Sequence, residues 1–153
     1  MDLILWRHAE AHEAKEGSTD LERDLTSRGQ KQAARMANWL ERHIPDSSRV
    51  LCSPARRTEQ TVMALGRKYK VRAELGPDGT VAQVLELIQW PQSKNTVLVV
   101  GHQPLLGELI AQLAGMDEID CAPKKGSVWW LRTKLRDGVQ RTAIYTVQNP
   151  DTV

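Results

Sequence analysis

The chain has no phenylalanine, only two cysteines, no long apolar run and almost no net charge. Each shortage excludes something. Cys52 and Cys121 are too few for a disulfide framework and fit no metal-ligand spacing. No apolar stretch approaches the length that spans a bilayer. The first one, Leu3 to Trp6, is too short for a secretory leader and runs directly into charge. A cytoplasmic protein with no membrane contact is therefore expected. A formal charge of +2 gives no bulk attraction to nucleic acid, and no basic stripe is visible. Glycine is not arranged as a phosphate loop or a dinucleotide fingerprint. Any phosphate would therefore be held mainly by side chains.

What is present fits one ordinary domain, residues 1–153, with 41% hydrophobic and 26% charged residues, enough to build a core without staples. Leu3-Ile4-Leu5-Trp6 reads as a short buried strand that ends in Arg7-His8. A polar loop follows to about Asp24, and His12 is expected to be a solvated part of it. Thr26 or Ser27 is positioned to cap a helix whose apolar stripe is Ala33, Met36, Ala37, Leu40 and Ile44, stopped by Pro45. His43 is expected to serve that helix's end. Arg49 to Cys52 is a second strand. It meets Ser53-Pro54, where serine suits a cap and proline the first helical position. The helix beyond is expected to carry Val62, Leu65 and Tyr69 on one face. Val71 to Leu75 is a weak strand, Gly76 to Gly79 a turn, and Val81 to Ile88 a short helix. Thr96 to Val100 is continuously apolar and β-branched, as a central parallel strand should be, and ends in Gly101-His102-Gln103-Pro104. A helix follows, from about Leu105 to Leu113, with Gly115 as its stop. Asp137-Gly138 then marks a hairpin between Ser127–Arg132 and Thr142–Val147. Trp129-Trp130 in that hairpin is read as core plus partly exposed surface.

This alternation predicts an α/β fold: a three-layer α/β/α sandwich on a mostly parallel sheet, with antiparallel strands at the C-terminal side. Three of its strands end in basic residues: Arg7-His8, then Arg56-Arg57 one turn beyond Ser53, then His102. The carboxyl ends of parallel strands share one edge of the sheet, where ligands bind. Guanidinium forks with two imidazoles suit a dianion with several acceptor oxygens. Positive neighbours favour a neutral imidazole, which has a lone pair for attack at phosphorus.

Four stretches carry a resemblance: Leu5 to Ala9, Leu25 to Ala33, Ser53 to Thr61 and Gly101 to Pro104. Together, in this order, the sequence resembles the histidine phosphatase superfamily, the phosphoglycerate mutase-like clan. The short chain and the Arg-His-Ala start look most like its SixA-type phosphohistidine phosphatases. The resemblance implies that His8 is the phosphorylated nucleophile. Arg7 and Arg57 match the phosphate-binding arginines. His102 matches the second pocket histidine, which also binds phosphate. Arg56 falls at a variable position and is expected to be exposed. Thr26, Ser53, Gln60 and Thr61 are read as structural supports.

One departure is chemical. Many members that cleave alkyl phosphates use a carboxylic acid as proton donor, and the mutase-like branch follows it closely with a Glu-Gly signature. Leu75 to Leu85 has no such pair. Asp78 is the only acid in its turn and the first candidate for a general acid; Glu10 is the weaker one. An alkoxide leaving group benefits from protonation by roughly 10²–10⁴-fold. A phosphohistidine imidazole leaves more readily, because its ring takes a proton before cleavage. The expected function is hydrolysis of phosphohistidine on a partner protein, with inorganic phosphate as product and neither metal nor cofactor required. The partner would be a phosphotransfer domain of a signal-transduction relay or a phosphotransferase carrier. A small-molecule phosphomonoesterase is the alternative enzyme, and a non-catalytic phosphate- or phosphoprotein-binding module the alternative of another class.

Overall fold

The computed structural model describes residues Met1–Val153. Six strands, β1 (Asp2–Arg7), β2 (Arg49–Cys52), β3 (Lys70–Val71), β4 (Val97–Gly101), β5 (Val128–Arg136) and β6 (Val139–Gln148), form one sheet. Four helices, α1 (Ser27–His43), α2 (Arg56–Met63), α3 (Val81–Leu87) and α4 (Leu105–Ala114), complete the fold. The strand order is β3-β2-β4-β1-β5-β6. The first four in that order are parallel, and β5 and β6 add antiparallel pairing beside β1.

Side chains alternate across a strand, so each central strand feeds two layers. Leu3, Leu5, Leu51, Val97 and Val99 pack with Val84 of α3 and with Leu106 and Leu109 of α4. Ile4, Trp6, Val50, Leu98 and Val100 pack with Met36 and Leu40 of α1 and Val62 of α2. This is the expected three-layer sandwich, and continuous apolar runs form its strands because both faces are covered. No helix is long and apolar enough to cross a membrane. Register decides where the strands end. Arg7 lies opposite Gly101, and Cys52 opposite Val100. His8, Ser53 and His102 therefore leave the sheet side by side.

Several expectations hold in detail. Thr26 caps α1, its hydroxyl accepting from the Gly29 N–H at 2.9 Å. Gly115 closes α4 with φ 67°. His43 lies at the end of α1, with Nδ1 2.6 Å from the Trp39 carbonyl oxygen and its ring stacked on Trp39. Trp130 is core: it is buried, and its indole N–H donates to Asp2 Oδ2 at 3.0 Å. Trp129 packs partly buried against the opposite layer.

Three readings change. The weak strand reduces to Lys70–Val71, and Ala73–Leu75 turns as a 3₁₀ helix. The hairpin strands run longer than their apolar cores, because Asp137 and Gly138 both take positive φ and make a tight turn that keeps the strands paired from Arg136 and Val139 onward. Helix α2 begins at Arg56 rather than at Pro54 and ends at Met63, so Leu65 and Tyr69 lie beyond it. Ser53 does not cap its first turn; the hydroxyl is engaged elsewhere.

Gly29 fixes how the loop after β1 meets α1. A Cβ there would stand 2.0 Å from the Glu10 carbonyl oxygen, which also accepts from the Thr26 N–H at 3.0 Å. Helix propensity alone would favour alanine by about 1 kcal/mol. Overpacking against backbone costs about 1–3 kcal/mol and outweighs it. Gly29→Ala should therefore lower the urea midpoint; a raised midpoint would show that the Glu10 loop yields freely.

Candidate active site

The strand ends carry the side chains, and backbone hydrogen bonds tie those ends together. The His8 N–H donates to the Gly101 carbonyl at 3.1 Å, and the Ser53 N–H to Val100 at 3.1 Å. The Gly126 N–H reaches the His8 carbonyl at 3.0 Å, closing the site from the β5 side. Thr61 of α2 accepts from the Ala9 N–H at 3.0 Å, and Gln60 accepts from the Leu25 N–H at 2.7 Å. These two act as the expected supports, holding the loop after β1 against α2.

The four residues singled out from the sequence come to one edge of the sheet. The His8 and His102 rings lie 5.4 Å apart, tilted by 56°. His8 Nδ1 is 2.7 Å from the Ala9 carbonyl oxygen. A carbonyl only accepts, so Nδ1 carries the hydrogen and Nε2 keeps the lone pair. Burial, then the charges of Arg57, Arg7 and Arg23, push the His8 pKa down to about 4, against the pull of the Ala9 carbonyl. His102 is pushed to about 3 by burial first, then by Arg57 and His8. Both rings are neutral at physiological pH, as a nucleophile requires.

The arginines are anchored at their tips. Arg7 donates from one terminal nitrogen to the Pro123 carbonyl at 2.9 Å. Arg57 is 4% exposed and donates to the Asp20 carbonyl at 2.8 Å and to the Asp20 carboxylate at 3.0 Å. Three buried nitrogens have no partner within the chain: Arg7 Nε, Arg57 Nε and His102 Nδ1. Buried polar groups are nearly always paired, so the two unpaired arginine Nε–H donors, with an unpaired histidine nitrogen beside them, point to an anion with several oxygens.

Arg56 behaves as expected: it is half-exposed and bonds outward to the Glu22 carbonyl. Glu10 accepts from the Thr26 hydroxyl at 2.7 Å and lies 4.0 Å from Arg28, so its carboxylate is occupied at the start of α1. Asp78 lines a cleft of about 680 Å³ with Asp20, Pro54 and Glu74. That cleft lies beside the cradle rather than on it: Asp20 belongs to both, while none of Arg7, His8, Arg57 and His102 lines it. His12 sits in the outer loop, where its carbonyl accepts from Arg23 Nε at 2.6 Å.

Sequence reasoning missed Asp20 and Arg23. Asp20 bridges Arg57 and Arg23, and their hydrogen bonds outweigh its burial and hold its carboxyl below the usual range. Both residues come from an aperiodic polar loop, in which only the three-residue spacing of opposite charges gave any signal. Ser53 is also misread: its hydroxyl lies 2.7 Å from His102 Nε2.

Comparison with known proteins identifies relatives of the chain. The model of the histidine phosphatase superfamily (branch 1) matches residues 3–78, which include Arg7, His8 and Arg57. The phosphohistidine phosphatase SixA of Escherichia coli K12 is 36% identical over 121 residues, covering 74% of each chain. The chain belongs to the histidine phosphatase superfamily. A SixA homolog of Haemophilus influenzae is 30% identical, over 75% of this chain and 78% of that one. The solved structure of the protein histidine phosphatase SixA complexed with tungstate superposes with a TM-score of 0.80 at 28% identity, over 99% of this chain and 98% of that one. His102 lies outside the residues matched by the superfamily model, so its place in the site rests on the sheet register.

The depressed histidines make stability depend on pH. Unfolded histidine binds its proton near pH 6.5, while folded His8 and His102 resist it down to about 4 and 3. The unfolded state therefore holds more protons across that window. Stability is fully present above pH 6.5 and falls as pH drops through it. Urea unfolding between pH 7 and pH 4.5 should show this loss, and His8→Gln with His102→Gln should flatten it. An unchanged slope in the double variant would show that other groups drive acid unfolding.

Proposed function

We propose that the protein hydrolyses phosphohistidine on a partner protein through a covalent phospho-His8 intermediate. The observation that carries this reading is the state of His8: neutral, with its hydrogen fixed on Nδ1 by the Ala9 carbonyl, beside two guanidinium groups. Nε2 attacks phosphorus in line. The bond to the substrate imidazole breaks, and that imidazole leaves neutral, having taken a proton from water. Arg7, Arg57 and His102 hold the oxygens and stabilise the charge of the transferring group. Water then attacks phospho-His8, releasing inorganic phosphate and restoring the free imidazole.

The substrate class follows from two supports. The E. coli and H. influenzae relatives carry the names phosphohistidine phosphatase SixA and its homolog. The site also lacks an evident proton donor: Glu10 is engaged by Thr26 and Arg28, and Asp78 stands in the neighbouring cleft. An N–P bond tolerates that lack better than an alkyl ester does. A phosphorylated histidine on a phosphotransfer or carrier domain is the substrate this favours.

Phosphate release from a histidine-phosphorylated carrier protein and from a panel of phosphate monoesters tests the reading. Fast turnover of the phosphohistidine with little on the esters is expected. His8→Ala should reduce it by on the order of a thousandfold or more. Preferred turnover of an ester, lost in Asp78→Asn, would instead establish a phosphomonoesterase with Asp78 as its acid. Phosphate binding without turnover of either would make the protein a binding module.

A further inference from the structure

Ser53 is fully buried where β2 leaves the sheet, and its hydroxyl oxygen meets two groups. The Ala55 N–H donates to it at 3.3 Å, and His102 Nε2 lies 2.7 Å away. A serine hydroxyl has one hydrogen to give and two lone pairs. The Ala55 N–H occupies one lone pair, so the question is which partner of the short contact supplies the hydrogen. Were it Nε2, the Ser53 hydrogen would be buried without an acceptor, which native interiors avoid. If Ser53 donates, no hydrogen is stranded in the contact, and the ring's own hydrogen is left for the proposed phosphate. His102 then carries its own hydrogen on Nδ1, the nitrogen that is buried without a partner in the chain. A doubly protonated ring would satisfy neither burial nor the nearby Arg57 charge.

The backbone of this turn is held by Thr58 as well as by the Ala55 N–H contact to the hydroxyl. The single Thr58 hydroxyl hydrogen is shared between the Ser53 carbonyl, 2.9 Å away, and the Ala55 carbonyl, 2.7 Å away. The Ser53 side chain does not cap α2, whose N-cap position is Ala55.

We infer that Ser53 is a positioning residue: by donating its hydroxyl hydrogen to His102 Nε2 it fixes that imidazole as the Nδ1–H tautomer and aims its single donor at the transferring phosphoryl group. This rests on the proposed placement of phosphate between His8 and His102. It adds a functional reason for a serine at the end of β2. Alanine would keep the Thr58 bonds of the turn, remove the acceptor of the Ala55 N–H, and leave the ring free to exchange tautomers, sometimes presenting a lone pair to an oxygen anion.

The test is long-range proton–nitrogen correlation NMR of the full chain labelled with ¹⁵N-histidine, at neutral pH without phosphate, with His102 assigned by comparison with His102→Gln. The wild type should show a protonated Nδ1 and a bare Nε2 on His102. Ser53→Ala should show mixed tautomers, a His102 that protonates at higher pH, and a kcat for phosphohistidine lower by on the order of ten- to a hundredfold, with KM changed less. A protonated Nε2 in the wild type overturns the inference, even if Ser53→Ala does not fold. So does a Ser53→Ala protein that keeps the pure Nδ1–H form and full turnover. A wild-type Nδ1–H form that responds to Ser53→Ala, in a protein that turns over no phosphohistidine, would uphold the role of Ser53 and reject the proposed substrate.

Discussion

The structure depends on holding two guanidinium groups and two neutral imidazoles together at one edge of a sheet without a buried carboxylate among them. Arg57 is almost fully buried, yet its acidic partner Asp20 is half-exposed and reaches only the guanidinium tip. The Nε atoms of both arginines and Nδ1 of His102 stay unpaired within the chain. Such donors cost stability in the absence of an anion, and the surrounding packing offsets that cost. Their return is that no reorganisation is needed when negative charge arrives, the arrangement that makes electrostatic stabilisation effective in catalysis.

The same field sets the chemistry of the rings. Burial and the arginine charges keep both histidines unprotonated. The hydrogen bonds then give the two rings different tasks. The Ala9 carbonyl pins hydrogen on His8 Nδ1 and leaves Nε2 as a nucleophile. The Ser53 hydroxyl, donating to His102 Nε2, keeps that ring in the same Nδ1–H tautomer but occupies its lone pair, so the nitrogen left free is a donor instead of a nucleophile. Two chemically identical side chains 5.4 Å apart thus become an attacking group and a stabilising group through one oxygen atom each.

Much of this was legible in the sequence, for a definite reason. Continuously apolar strands ending in Arg7-His8 and in Gly101-His102 mark both the sheet and its functional edge, because parallel strands share the end at which their charged residues emerge. Helix α1 was readable from its stripe and from Thr26. Illegible were the features that depend on contacts between loops distant in sequence. The hold of Asp20 on Arg57 spans thirty-seven residues and that of Pro123 on Arg7 spans one hundred and sixteen, and neither loop has a period. Ser53 misled for a physical reason: Ser-Pro before a helix is a good capping signal, but the parallel pairing of β2 with β4 brings a ring nitrogen within 2.7 Å and takes the hydroxyl. Local propensity lost to a tertiary hydrogen bond.

The central claim is that His8, and not its neighbour, carries the phosphoryl group. Rapid mixing with a ³²P-phosphohistidine carrier protein, an alkaline quench that preserves N–P bonds, and peptide mapping would locate the label. The account predicts transient phosphate on Nε2 of His8. Label on His102, or turnover with no labelled enzyme at any mixing time, would contradict it.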